Sequence, residues 1–104
     1  MKVMVTGGAG FIGANLIERL VKEGHDVVSL DNYDSGLEEN HIDGVKYINA
    51  DIETIEYIKG DDFDLCFHLA ALSRIQPSFE NPTDTFRVNV RGTEAVMEWA
   101  LHNK

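Results

Sequence analysis

Residues 2–13 read Lys-Val-Met-Val-Thr-Gly-Gly-Ala-Gly-Phe-Ile-Gly, and the fold follows from how this stretch is read. Val3 to Val5 is a short apolar run of the kind that makes a buried strand, Thr6 opens a glycine turn, and a helical pattern begins at Phe11. Strand, glycine turn and helix in direct succession form the phosphate-binding corner of a nucleotide-binding βαβ unit. The first turn of a helix leaves backbone N–H groups without partners, its dipole adds partial positive charge, and glycine lets an anion approach. Two registers fit. Gly8, Gly10 and Gly13 match G-x-G-x-x-G, whereas Gly7, Gly10 and Gly13 match G-x-x-G-x-x-G. Both put Gly10 at the ligand and Gly13 where helix and strand pack closely.

Working outward, Ile12, Leu16, Ile17, Leu20 and Val21 recur at helical spacing and are expected to face a sheet. Glu18 and Lys22 lie four apart on the outer side, and Gly24 is placed to stop the helix. Val27-Val28-Ser29-Leu30 is a second short strand ending at Asp31, eighteen positions after Gly13. A carboxylate there can accept from both hydroxyls of an adenosine ribose and repels a 2′-phosphate, which favours NAD over NADP. Aspartate at a strand end also suits a plain turn, so Asp31 by itself does not decide.

Residues 32–44 are polar and read as a surface connection with a helical turn near Leu37 to Asn40. Val45 to Asn49 alternates as a third strand, Asp51-Ile52 follows it, and Glu53 to Lys59 reads as a short helix closed by Gly60. Asp61, Asp62 and Asp64 surround Phe63; turn acids account for them more simply than a metal site. Leu65 to Leu69 is a fourth strand, with Cys66 and His68 as core residues, and Ala70-Ala71-Leu72-Ser73 ends it in small side chains. Those suit either a ligand crevice or close helix packing. Asn81 caps and Pro82 begins a long helix. Phe86, Val90, Val96, Met97, Ala100 and Leu101 trace its apolar face, with Asn89 and Thr93 on or beside it, while His25, His41 and His102 read as surface histidines. The class is α/β: a Rossmann-type parallel sheet of about four strands in the order 3-2-1-4, helices on both faces.

A chain of 104 residues makes one small domain, and a formal net charge of −9 argues against a nucleic-acid backbone or an anionic membrane as partner. The single cysteine, Cys66, cannot form an internal disulfide. No apolar run reaches membrane-spanning length and no signal-peptide pattern follows Met1, so a cytoplasmic protein is expected.

Five motifs then stand in family order and spacing: residues 6–13, Asp31-Asn32, Asp51-Ile52, His68-Leu69-Ala70-Ala71 and Asn89-Val90-Arg91-Gly92-Thr93. Together they resemble the extended short-chain dehydrogenase/reductase family, the NAD-dependent nucleotide-sugar epimerases and dehydratases, in their UDP-glucose 4-epimerase-like form. The resemblance spans nearly the whole chain. It implies that Gly7, Gly10 and Gly13 form the pyrophosphate turn, with Phe11 and Ile12 donating backbone N–H groups. It implies that Asp31 takes the adenosine ribose, with Asn32 against the adenine side, and that Asp51 and Ile52 flank the adenine. Leu69, Ala70 and Ala71 would line the central ribose and nicotinamide end, and Asn89 would order the pocket from the long helix. A lysine often stands in this family where the chain has Ser73, so no cofactor contact is carried over to Ser73 or to Arg74.

The family's chemistry uses a Tyr-x-x-x-Lys pair, yet here Tyr33, Tyr47 and Tyr57 are followed four places on by Leu37, Asp51 and Asp61. No catalytic or metal residue is therefore assigned. The resemblance implies that residues 1–104 are the amino-terminal portion of an NAD-binding domain, without a substrate domain and inactive alone. A UDP-sugar would be the substrate of the intact enzyme, epimerase, dehydratase or decarboxylase. A homo-oligomer is expected, through the C-terminal helix or the exposed sheet edge at 65–69. A stand-alone, non-catalytic dinucleotide-binding module and a domain without ligand remain as other readings.

Overall fold

Val3, Met4, Val5 and Thr6 are completely buried, because β1 (Lys2–Thr6) lies inside the sheet with packed layers on both faces. This is seen in a computed structural model that describes residues 1–33, 36–58, 63–71 and 75–102. β2 (Asp26–Asp31) pairs along one side of β1, with Val3 beside Val27 and Thr6 beside Leu30. β4 (Leu65–His68) pairs along the other, with Val3 beside Leu65 and Thr6 beside His68. β3 (Lys46–Asn49) adds outside β2. All pairs are parallel and the order is β3-β2-β1-β4, as the alternation of strands and helices requires.

The two faces carry separate cores. On one, α1 (Phe11–Lys22) lays Ile17 and Leu20 over Val3, Val5 and Val27. On the other, Met4, Val28 and Leu30 meet Ile52, Ile55, Val88, Val96 and Trp99. The first of those residues come from a 3-10 segment, Ile52–Tyr57, where a short helix was expected; Gly60, its expected stop, lies outside the described residues. The rest come from a long helical run that begins where Asn81 and Pro82 indicate. It consists of α3 (Pro82–Phe86), a π-helical segment Arg87–Arg91, and α4 (Gly92–His102). Asn81 Oδ1 accepts from the Asp84 N–H at 3.2 Å, the expected cap. A preceding helix, α2 (Ile75–Glu80), was not anticipated.

Three expectations are corrected. Ile12 does not face the sheet but is 68 % exposed at the start of α1, on the side of the glycine turn. The buried face of the long helix is Val88, Gly92, Val96 and Trp99, while Phe86, Val90, Met97, Ala100 and Leu101 are exposed. Gly92 explains the choice: a Cβ there would stand 2.6 Å from Ile52 Cγ2, so glycine lets the helix approach where another residue would hold it off. The fourth strand is less buried than its apolar letters suggest, because it is a sheet edge: Leu65 and Phe67 are exposed and Cys66 and His68 half-buried. Asp64 has a structural task, its Oδ2 accepting from the Lys2 N–H at 2.8 Å; Asp61, Asp62, Leu72, Ser73 and Arg74 lie outside the described residues.

Candidate functional site

A cleft of about 330 Å³ opens at the carboxyl ends of the strands, across the point where the chain leaves β1 for β2 on one side and β4 on the other. Gly7, Gly10, Phe11, Ile12 and Gly13 form one wall and Leu30, Asp31 and Asn32 the next. Ala50, Ile52, Leu69, Ala70, Ala71 and Val88 complete it. Every site residue read from the sequence lines this cleft except Asp51 and Asn89. Leu30, Ala50 and Val88 were missed. They are apolar and read as core, and for the first two the available signal was adjacency to Asp31 and Asp51.

The glycines resolve the register in favour of Gly7, Gly10 and Gly13. Gly7 sits at φ +75° with its missing Cβ only 3.0 Å from the Leu69–Ala70 backbone, so it joins the turn to the end of β4. Gly8 instead points into the sheet, where a Cβ would stand 2.0 Å from Ser29 Oγ. Among the described residues no side chain caps the first turn of α1 and no acidic residue stands in it, which leaves its N–H groups and dipole directed at the cleft.

Asp31 is built into this turn. Its Oδ2 accepts from the Ala9 N–H at 3.0 Å and its Oδ1 from the Tyr33 N–H at 2.8 Å. The Ala9 carbonyl accepts in turn from the Leu37 N–H at 3.1 Å and Asn40 Nδ2 at 2.7 Å. Tyr33 has φ +64°, and its ring hydroxyl meets His41, which stacks on Tyr47 at 3.7 Å. Burial first, then the charge of Asp31, raises the Tyr33 phenol above its ordinary range. A carboxylate oxygen has more than one acceptor direction, so Asp31 keeps capacity for two further donors from the cleft.

Asp51 follows β3 and adjoins the cleft between Ala50 and Ile52. Its Oδ2 accepts from Arg87 Nη1 at 2.9 Å, and the same nitrogen donates to Glu53 Oε1 at 2.9 Å. The hydrogen bonds to Asp51 and Glu53 hold the Arg87 guanidinium firmly charged. Among the described residues Asp51 Oδ1 is buried with no hydrogen-bond partner. Buried acceptors are normally paired, so this oxygen is an unmet acceptor on a residue whose two chain neighbours, Ala50 and Ile52, line the cleft. Asn89 lies in the π segment beside Val88, and its carbonyl accepts from Thr93 Oγ1 at 2.6 Å.

His68 and Thr93 form a connected set with Thr6. Thr6 Oγ1 accepts from the Leu69 and Ala70 N–H groups at 3.0 and 3.2 Å, so its own proton goes to His68 Nδ1 at 2.7 Å. Nε2 then carries the imidazole proton and donates to Thr93 Oγ1 at 3.0 Å. This chain ties the cleft end of β4 to β1 and α4. Burial lowers the His68 pKa from 6.5, so folding favours the neutral ring. The unfolded chain takes up this proton first on acidification. Stability from His68 is full above about pH 6.5 and is lost as pH falls through the folded-state value. Urea unfolding at pH 7.5 and 5.5 is expected to show a loss that shrinks in His68→Gln; an equal loss in both proteins would contradict this. Burial alone pushes the Cys66 thiol up to about 11, which leaves it unreactive at neutral pH.

The profile of the family described as "NAD dependent epimerase/dehydratase family" matches residues 3–104. A UDP-glucose 4-epimerase of Mycolicibacterium smegmatis is 37 % identical over 108 aligned positions, covering 96 % of this chain and 34 % of that protein. The crystal structure of a Thermotoga maritima UDP-glucose 4-epimerase with UDP-glucose superposes with a TM-score of 0.94 at 31 % identity, covering 99 % of this chain and 35 % of that one. That of Thermus thermophilus UDP-glucose 4-epimerase in complex with NAD gives 0.88 at 34 % identity, covering 99 % and 34 %. The chain thus spans about a third of the length of the relatives it matches. With the matched profile, the strand order and the glycine-turn cleft in agreement, this chain belongs to the NAD dependent epimerase/dehydratase family.

Proposed function

We propose that this chain forms the NAD-binding portion, residues 1–104, of a nucleotide-sugar epimerase whose substrate is a UDP-sugar. The observation that carries the reading is the meeting at one cleft of donor and acceptor groups of the right chemistry, two sets lining it and a third, on Asp51, adjoining it between two lining residues. The uncapped first turn of α1 behind Gly7, Gly10 and Gly13 suits a diphosphate, with Phe11 and Ile12 offering N–H groups. Asp31 suits the two hydroxyls of a ribose, and the unpaired Asp51 Oδ1, beside Ile52, suits the amino group of adenine. Asn32 borders the adenine side, Leu69, Ala70 and Ala71 leave room for the second ribose and nicotinamide, and Asn89 orders the wall from the π segment. Bound NAD supplies the hydride acceptor and donor for transient oxidation of a sugar carbon. The residues of this chain hold and orient the dinucleotide. They include no Tyr-x-x-x-Lys pair, so the chain alone is expected to turn over no UDP-sugar. A cytoplasmic location is part of the reading.

Self-association belongs to the same proposal, because Met97 and Leu101 are exposed on α4 beside Phe86 and Val90, and Leu65 and Phe67 on the β4 edge. Calorimetric titration is expected to show NAD binding that Asp31→Ala weakens about tenfold or more, since charge-assisted hydrogen bonds to ribose are lost. Wild type is expected to prefer NAD to NADP, the preference narrowing in the variant. A folded sample that ignores millimolar-range NAD, or a variant of unchanged affinity, sinks the cofactor assignment. Sedimentation of the same samples reads the association, and a monomer at high concentration removes that part.

A further inference from the structure

Arg87 opens the π-helical segment between α3 and α4. Such segments are rare and shift the side chains around them relative to a regular helix. Here Val88 joins the core and lines the cleft, while Arg87 reaches across to the segment after β3. Its Nη1 is shared between Asp51 Oδ2 and Glu53 Oε1, both at 2.9 Å, and its Nε stands 3.5 Å from Asp84 Oδ1. One guanidinium therefore gathers three carboxylates. The groups are each about a third to a half exposed, and ion pairs of that kind contribute little to folding. Among the described residues Asp51 Oδ1, by contrast, is buried and unpaired, a cost to the folded chain unless a donor arrives.

We propose that Arg87 is a positioning residue for base recognition. By holding Asp51 Oδ2, it keeps the opposite oxygen, Oδ1, turned inward to accept from the exocyclic amino group of adenine. This rests on the dinucleotide reading above and adds the residue that sets its base specificity. Without Arg87, Asp51, Glu53 and Asp84 repel one another and the Asp51 carboxylate turns outward to water. The amino group then loses its acceptor, while the ribose and diphosphate contacts, which Arg87 does not touch, persist.

The test is to titrate the whole chain with NAD and with nicotinamide hypoxanthine dinucleotide, in which an oxo group replaces the amino group. Wild type is expected to prefer NAD about tenfold or more, because a site built around an acceptor rejects an analogue lacking the donor. In Arg87→Met the preference falls to within about twofold, through weaker NAD binding with hypoxanthine affinity little changed, and Arg87→Lys restores part of it. Should the methionine variant not fold by circular dichroism, Arg87→Gln replaces it with the same collapse expected, since a shorter neutral amide cannot hold both carboxylates. A folded Arg87→Met or Arg87→Gln protein with the wild-type ratio overturns the proposal. Equal wild-type affinity for the two dinucleotides also overturns it and leaves the cofactor reading standing. Failure to bind either one overturns both.

Discussion

A Gly13→Val protein is expected to bind no measurable NAD and to lose about 3 kcal/mol or more of stability, at the upper end of what overpacking does. A Cβ at Gly13 would stand 2.2 Å from the Gly7 carbonyl oxygen, 2.8 Å from Gly8 Cα and 3.0 Å from Gly7 C. All three obstacles are backbone, so no side-chain rotation relieves them. The turn cannot retreat either, because Gly7 already lies against the Leu69–Ala70 backbone and donates its N–H to the Leu30 carbonyl at 2.7 Å. Relief must come from lifting α1, which removes Ile17 and Leu20 from Val3, Val5 and Val27. Gly10→Ala makes the contrast. Its Cβ meets Gly7 O at 3.4 Å, an ordinary contact, so that variant is expected to keep its fold while its methyl group obstructs the diphosphate. Urea unfolding followed by circular dichroism, beside NAD titration, reads both quantities. Wild-type affinity in Gly13→Val would mean that the helix and turn do not hold the cofactor.

Trp99→Ala is expected to destabilise the chain by about 3–5 kcal/mol, the usual cost of truncating a large buried aromatic residue. Against a total of about 5–15 kcal/mol for a domain of this kind, that removes a large share of the stability and, at the low end of the range, unfolds part of the population. Trp99 is 3 % exposed, its Nε1–H donates to the Ile58 carbonyl at 3.0 Å, and its ring lies 5.2 Å from that of Phe63. It therefore joins α4 to both ends of the connection between the 3-10 segment and β4. Trp99→Phe keeps most of the packing and forfeits the hydrogen bond, so its cost is expected to be smaller. Denaturant unfolding by far-ultraviolet dichroism is the measurement, since Trp99 is the chain's sole tryptophan. A loss below about 1 kcal/mol in Trp99→Ala would contradict the packing argument.

The strand order and the cleft were legible in the sequence because their signals are local. Glycine spacing, an acid at a strand end and Asn81 before Pro82 each act within a few residues. The buried face of the long helix was not legible for a physical reason. Apolar residues surround that helix, so periodicity alone allows more than one face. Gly92 marks the true one, by permitting contact with Ile52, and Trp99 completes it. α2 was not expected, since no helical signal was read between residues 75 and 80; Pro77 fits its first turn, where proline removes an N–H that has no intrahelical partner. Ile12 looked like core because its spacing fits the stripe of α1. At the very start of a helix, however, the chain has not yet come down onto the sheet. Asp51 was expected from the sequence to take part in the site, but the hold of Arg87 on one of its oxygens was not legible, since only folding brings residues 51 and 87 together.

The Ala9 peptide has a consequence for how cofactor preference can change in this scaffold. Its N–H rests on Asp31 and its carbonyl on Leu37 and Asn40, so one amide plane is braced from two directions. On the proposed reading, exchanging Asp31 for a smaller or basic residue to welcome a 2′-phosphate would also unfasten the loop assigned to the diphosphate. Selectivity and grip are thus inherited together, and a lineage moving towards NADP needs a compensating acceptor for Ala9 before, or along with, the loss of the acid.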